Sequence, residues 1–193
     1  MGPLETFFKQ YSWFIYDPTQ SASQQFHRLQ TEAGWEREDP EQRDAWEGYL
    51  EALVLQFNSS YGENENDLTA WHGLLARIGI NNFPDSVKVC KSVSFEFFSM
   101  LLGSITRCNQ IIRGKFINLV DLVDARDDPS RQVQQFASEM ILSEYTLSNH
   151  KVFPRDHVAA GSLLRYLLRH ILSPNSNRRD PTFRRHNKRK NRR

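Results

Sequence analysis

Four aspartates, Asp121, Asp124, Asp127 and Asp128, follow Asn118 in a spacing that begins i, i+3, i+6. On a helix that spacing puts Asn118, Asp121 and Asp124 along one face. A divalent cation takes several oxygen ligands, so the three are candidate metal ligands, and a metal-dependent helical enzyme is one reading of the chain. Paired-aspartate diphosphate chemistry would need a second acidic helix, and the sequence offers none. Solvated acids on the outer side of an apolar segment are the simpler reading. The six histidines, His27, His72, His150, His157, His170 and His186, never fall in an HExxH spacing. No serine or cysteine stands in a nucleophile-elbow context. The nine glycines form neither GxGxxG nor a P-loop. No catalytic residue and no cofactor is assigned, and an enzyme is the minority reading.

The second chemistry is charge. Residues 174–193 hold Arg178, Arg179, Arg184, Arg185, Lys188, Arg189, Lys190, Arg192 and Arg193 against one acid, Asp180, so nine minus one gives +8. Residues 1–173 hold 16 basic and 22 acidic side chains, hence −6. The net charge of +2 is the sum of these unlike parts. Two basic clusters separated by a few residues suit a nuclear import receptor. The same cations would bind phosphate backbones by counterion release, without reading sequence and with steep salt dependence. Phe183 is one stacking residue, too little for base recognition. Serine, asparagine and proline separate the basic pairs, so the tail should be disordered when free.

The elements that must carry these residues read as helices. Leu4 to Tyr16 spaces Phe7, Phe8, Tyr11, Phe14 and Ile15 helically and ends at Asp17-Pro18. Ser21 or Ser23 can cap a helix carrying Phe26 and Leu29 that stops near Gly34. Asp39-Pro40 opens the clearest amphipathic helix, through Ala45, Trp46, Tyr49, Leu50, Leu53, Val54 and Phe57 to Tyr61-Gly62. Asn66 or Asp67 caps the next, with Leu68, Trp71, Leu74, Leu75 and Ile78 inward and Gly79 at its end. Pro84-Asp85-Ser86 starts a fifth through Val87 and Cys90. Phe116 to Val123 is a helix or a short strand. Gln132 to Leu147 shows Val133, Phe136, Met140, Ile141 and Tyr145 on one face. Asp156 caps a last helix with Val158, Leu163, Leu164, Tyr166, Leu167, Leu168 and Ile171, closed by Pro174. Strand signals are weak. The expected fold is all-α, a compact orthogonal bundle of six to eight helices over residues 1–173, followed by the basic tail 174–193.

Composition fits such a domain: 193 residues, 39% hydrophobic and 25% charged, exclude collagen-like repeats and disulfide scaffolds. The longest apolar stretch, Phe95 to Ile105, is too short for the roughly 20 residues of a membrane span. Met1 to Pro18 contains Glu5, Lys9 and Asp17 and lacks a secretory pattern. Cys90 and Cys108, 18 apart, read as reduced core thiols. The sequon Asn58-Ser59-Ser60 is then idle. An intracellular interaction module is expected, nuclear rather than cytoplasmic. Its tail would meet an import receptor or nucleic acid, and its helical body a protein partner.

Several spaced motifs occur in a specific order: Phe7-Phe8-x2-Tyr11-x2-Phe14-x-Tyr16-Asp17-Pro18, Gly34-Trp35, Phe57-Asn58-x2-Tyr61-Gly62, Pro84-x-Ser86-x3-Cys90-Lys91, Asn118-Leu-Val-Asp121-Leu-Val-Asp124 and Lys151-Val-Phe-Pro154. Together, over most of residues 7–172, they resemble an uncharacterised family of short helical ascomycete fungal proteins. The resemblance implies a compact helical domain and carries no activity. One departure stands out. In the family pattern the Cys-Lys pair runs into the Asn118 motif after a few residues, whereas here Val93–Gln110 intervenes. Val-Ser can be encoded by GT(A/G)AGT and a terminal Gln by CAG, which match splice signals. Eighteen codons make 54 nucleotides and keep the frame. The segment therefore reads as a translated intron. The competing reading is an ordinary buried helix using Phe95, Phe98, Leu101, Leu102 and Ile105.

Overall fold

Capping chemistry decides where the two central helices of this protein begin. The computed structural model describes residues 1–36, 38–80, 94–126, 128 and 130–168, with the backbone alone at 94–102 and 113. Eight helices occur among them: α1 (Pro3–Phe8), α2 (Ala22–Ala33), α3 (Pro40–Tyr61), α4 (Leu68–Arg77), α5 (Ser94–Arg113), α6 (Leu119–Asp124), α7 (Glu139–Ser148) and α8 (Ser162–Leu167). Two short strands, β1 (Phe116–Ile117) and β2 (Gln135–Phe136), pair antiparallel with Phe116 opposite Phe136. The all-α class expected from the sequence is what the chain adopts. The helix expected from Pro84, together with Cys90, Val93, Ile171 and the whole tail 174–193, lies outside the described residues.

The central element is α3. Asp39 accepts from the Glu41 amide at 2.9 Å, Pro40 fills the first turn, and Gly62 ends the helix at a φ of 92°. One face buries Tyr49, Leu53, Val54 and Phe57, all at 1% exposure or less. Against it pack α1, α4 and α6. On α4 the Asp67 carboxylate takes the Thr69 amide at 2.8 Å, and Trp71, Leu74 and Leu75 are fully buried. The second half of α5 packs on α4 and gives Ile105, Cys108 and Ile112 to the same core. Burial pushes the Cys108 thiol up. Core burial of this kind stabilises by about 25 cal/mol per Å² of apolar surface.

Four local expectations are corrected. The first helix stops at Phe8 rather than Tyr16. Gln10 and Tyr11 bond to carbonyls three residues back, which tightens and ends it. The chain then turns, with the Phe14 amide bonded to the Tyr11 carbonyl, and Phe14 and Tyr16 stack on Phe8 at 5.6 and 4.7 Å between ring centroids. Ile15, between these two rings, points away from them and is 80% exposed. The helix expected from Gln132 begins only at Glu139, because Gln135 and Phe136 are spent on pairing with β1 and Ser138 supplies the cap. Met140 therefore faces solvent at 60% exposure.

The last helix begins after Gly161 and not at Asp156, which leaves Val158 91% exposed. A Cβ at Gly161 would stand 2.6 Å from the Glu63 carbonyl, and the Ser162 hydroxyl and Leu163 amide both bond that carbonyl. The start of α8 is therefore fixed by the α3–α4 loop, which reaches back across the chain. The fourth correction concerns α2. Ser21 occupies its N-cap position without capping it, and the group that caps α2 comes from α6.

Candidate functional site

The stripe Asn118, Asp121 and Asp124 belongs to α6, but its members serve three different contacts. Asn118 is the N-cap. Its Oδ1 accepts from the Val120 and Asp121 amides at 2.9 and 3.2 Å, and its Nδ2 donates to Thr146 Oγ1 at 2.8 Å and the Lys151 carbonyl at 3.1 Å. It is 3% exposed, so this amide ties α6 to both ends of the turn after α7. Asp121 accepts from Lys151 Nζ at 2.5 Å, with both side chains about 15% exposed. Lys151 Nζ also donates to the Tyr145 hydroxyl at 2.9 Å. Asp124 turns to α2: Oδ2 accepts from Ser21 Oγ at 2.6 Å and Oδ1 from the Ala22 amide at 2.9 Å.

Asp121, Asp124, Tyr145, Lys151 and Arg131 line one cleft of about 380 Å³. Asn118 does not reach it and borders a separate void of about 30 Å³. Arg131 closes one side by donating to the Asp124 and Thr19 carbonyls. Burial pushes the Asp124 carboxyl above the ordinary aspartate value against the pull of its Ser21 and Ala22 bonds. Burial draws the Lys151 ammonium down, but its bonds to Asp121 and Tyr145 outweigh that and leave it above the ordinary lysine value. The Tyr145 hydroxyl is raised, chiefly by burial. Lysine and tyrosine thus both keep their protons at neutral pH, the state of a brace. For either of them to act as a general base its pKa would have to be lowered. Among the described residues no group of three or more histidine, cysteine or acidic side chains is arranged to hold a metal ion.

A second cleft, of about 860 Å³, opens between α2 and α3. Four aromatic residues line it beside Ser23, His27, Gln30, Thr31, Glu36, Gln42 and His150, and of the four only Trp35 and Trp46 keep substantial exposure. Phe26 stacks on Tyr49 with centroids 4.5 Å apart, and Trp46 lies 5.2 Å from Phe26 and 5.5 Å from Tyr49. Trp35, braced at 5.8 Å by Tyr11 and through Nε1 to Glu41 at 3.3 Å, forms the far wall. Exposed Glu36 stands on the lip, and no lysine or arginine is among the described residues that line the cleft.

No family model, curated protein or solved structure matches this chain. Its function has to be read from these groups and from the charge layout.

The nine basic residues of the tail, Arg178 to Arg193, lie outside the described residues. No helix among the described residues is long and apolar enough to cross a membrane. The sequon asparagine, Asn58, is 7% exposed, and its Nδ2 donates to the Ala159 carbonyl at 2.8 Å. The nitrogen that a glycan would occupy is thus engaged in the fold. Sequence reasoning missed the Lys151–Asp121–Tyr145 brace and the Asp124 cap on α2, because both join segments distant in the chain. The Asn118-x-x-Asp121 spacing does carry a local signal: a capping residue with an acid three places on marks a helix start.

Proposed function

We propose that this protein is a helical interaction module that contacts nucleic-acid phosphates through its basic tail, with the same two clusters directing it to the nucleus. The observation that carries this reading is the segregation of charge, +8 in residues 174–193 beside −6 in residues 1–173. Cations gathered on one short segment release condensed counterions when they meet a phosphate backbone, which gives affinity without base readout. The body supports the reading by its own charge. Its exposed carboxylates repel phosphate, so contact falls to the tail, while its helical surface is left for a protein partner. Asp121, Tyr145, Lys151 and Asp124 in the α6 cleft are engaged with other groups of the fold, which supports a positioning role for them.

The test is the salt dependence of binding to a single-stranded oligonucleotide. The full chain is compared with a full chain carrying R184Q, R185Q, K188Q, R189Q and K190Q. Each cation in contact contributes about 0.7 to the slope of log affinity against log salt, so five should lower it by about 3.5. The same variant should lose nuclear accumulation in cells. An unchanged slope would refute the nucleic-acid contact.

A further inference from the structure

We infer that the aromatic cleft between α2 and α3 is the docking site of the chain's own basic tail, with an arginine of residues 178–193 seated against Trp35 and Trp46. This rests on the reading of the tail as the nucleic-acid contact, and it makes the cleft a competitor for the same cations. The walls suit a guanidinium. A planar, weakly hydrated cation stacks on tryptophan faces, worth about 0.5–1 kcal/mol at exposed sites. The protein already uses this contact elsewhere, where the Arg28 guanidinium carbon lies 4.3 Å from the centre of the Phe14 ring. Both tryptophans are only half-buried, so ring surface remains open to the cleft.

Charge selects the occupant. Residues 36–51 carry seven acids, Glu36, Glu38, Asp39, Glu41, Asp44, Glu47 and Glu51, against Arg37 and Arg43, a net −5. Glu36 is on the lip, Glu41 holds Trp35, and Asp44 and Glu47 are exposed on the outer side of the helix that supplies Trp46. A phosphate would be repelled there and an arginine-rich segment drawn in. The chain carries such a segment within reach. Arg184 follows Leu168, the last described residue, by 16 positions. An extended chain covers up to about 3.4 Å per residue, so the reach is about 54 Å. A folded body of about 170 residues is only about 40 Å across. Tethering gives the tail an effective concentration near millimolar, so a contact of tens to hundreds of micromolar would hold it most of the time. A basic peptide from elsewhere would have to outcompete that tethered copy.

The experiment uses the full chain with Cys90→Ser and Asn191→Cys carrying an acceptor dye for tryptophan emission. Energy transfer at low salt should be at least twice that of the same chain bearing the five tail substitutions. It should fall to the level of that variant at high salt and in a chain with Glu36→Gln, Asp44→Asn and Glu47→Gln. Without the dye, those three substitutions on and beside the cleft should tighten oligonucleotide binding about tenfold, the gain expected when a docked fraction near nine-tenths is released. Removing three exposed acids elsewhere, by Glu63→Gln, Glu144→Gln and Asp156→Asn, should tighten it far less.

Equal transfer with and without the tail charges overturns the dock. So does an equal gain in affinity from the two sets of acid substitutions. Transfer that rises with protein concentration means docking between copies and overturns the intramolecular contact. If the tail variant binds the oligonucleotide as well as the unsubstituted chain, the nucleic-acid reading fails, and transfer alone still decides the dock.

Discussion

The two clefts of this protein use charge in opposite ways. Around α6 each charged or polar group meets a partner from another segment: Asp121 with Lys151, Asp124 with the start of α2, Asn118 with both sides of the turn after α7. Between α2 and α3 the half-buried Trp35 and Trp46 line the cleft with exposed Glu36 on its lip, and no lysine or arginine among the described residues lines it to answer them. A matched group inside a fold fixes geometry, because its partners would be left unpaired by any other arrangement. The exposed parts of Trp35, Trp46 and Glu36 contribute less to geometry than such pairs and are open to a partner. The first cleft therefore reads as construction and the second as recognition, although the sequence draws the eye to the acids of the first.

The sharpest way to break that contrast is Lys151→Met. It leaves Asp121 mostly buried without its cation, and removing one partner of such a pair costs about 3 kcal/mol. Lys151→Met combined with Asp121→Leu should recover most of the loss in a urea titration. If the single variant unfolds at the same urea concentration as the parent, the brace is not structural. The Asp124 cap comes next. Asp124→Ala should cost about 1–2 kcal/mol, as for other helix caps. Asp124→Asn keeps an acceptor for Ala22 and should cost less.

The same carboxyl has a pH signature. Burial raises it in the folded state, so the folded chain binds its proton up to a higher pH than the unfolded chain does. Its contribution to stability is then complete below the ordinary aspartate value and is lost as pH rises through the raised folded value. Asp124→Asn should abolish that part of the pH dependence, and the difference between parent and variant isolates it from the other carboxylates. The smallest expected effect sharpens the contrast from the other side. At high salt, where the tail is undocked, Glu36→Gln, Asp44→Asn and Glu47→Gln together should change stability by no more than about 0.5 kcal/mol, as exposed substitutions do. A loss as large as that of Lys151→Met would make the recognition cleft structural as well.

Much of the α-helical scaffold was legible locally. Asp39-Pro40 and Asp67 start α3 and α4 where capping chemistry places them, and Gly34 and Gly62 end their helices at positive φ. The stretches that misled were those where aromatic spacing suited a helix but a distant partner claimed the backbone. Phe14 and Tyr16 fold back on Phe8, and Phe136 pairs with Phe116 across 20 residues. At the α6 stripe, helical spacing put Asn118, Asp121 and Asp124 on one line. Which atoms each side chain would meet was not readable, since Ser21 and Ala22 lie more than 100 residues before Asp124.

The sequence by itself determined the helical class, the caps of the central helices and the division of charge between an acidic body and a basic tail. These rest on neighbours three or four residues apart and on simple counting. Tertiary structure alone decided that Asp124 would cap α2, that Lys151 would neutralise Asp121, and that four aromatic rings from α2, α3 and the turn between them would wall one cleft. A side chain's partner is chosen by the packing of whole helices, and that packing is a sum over contacts which no local pattern contains.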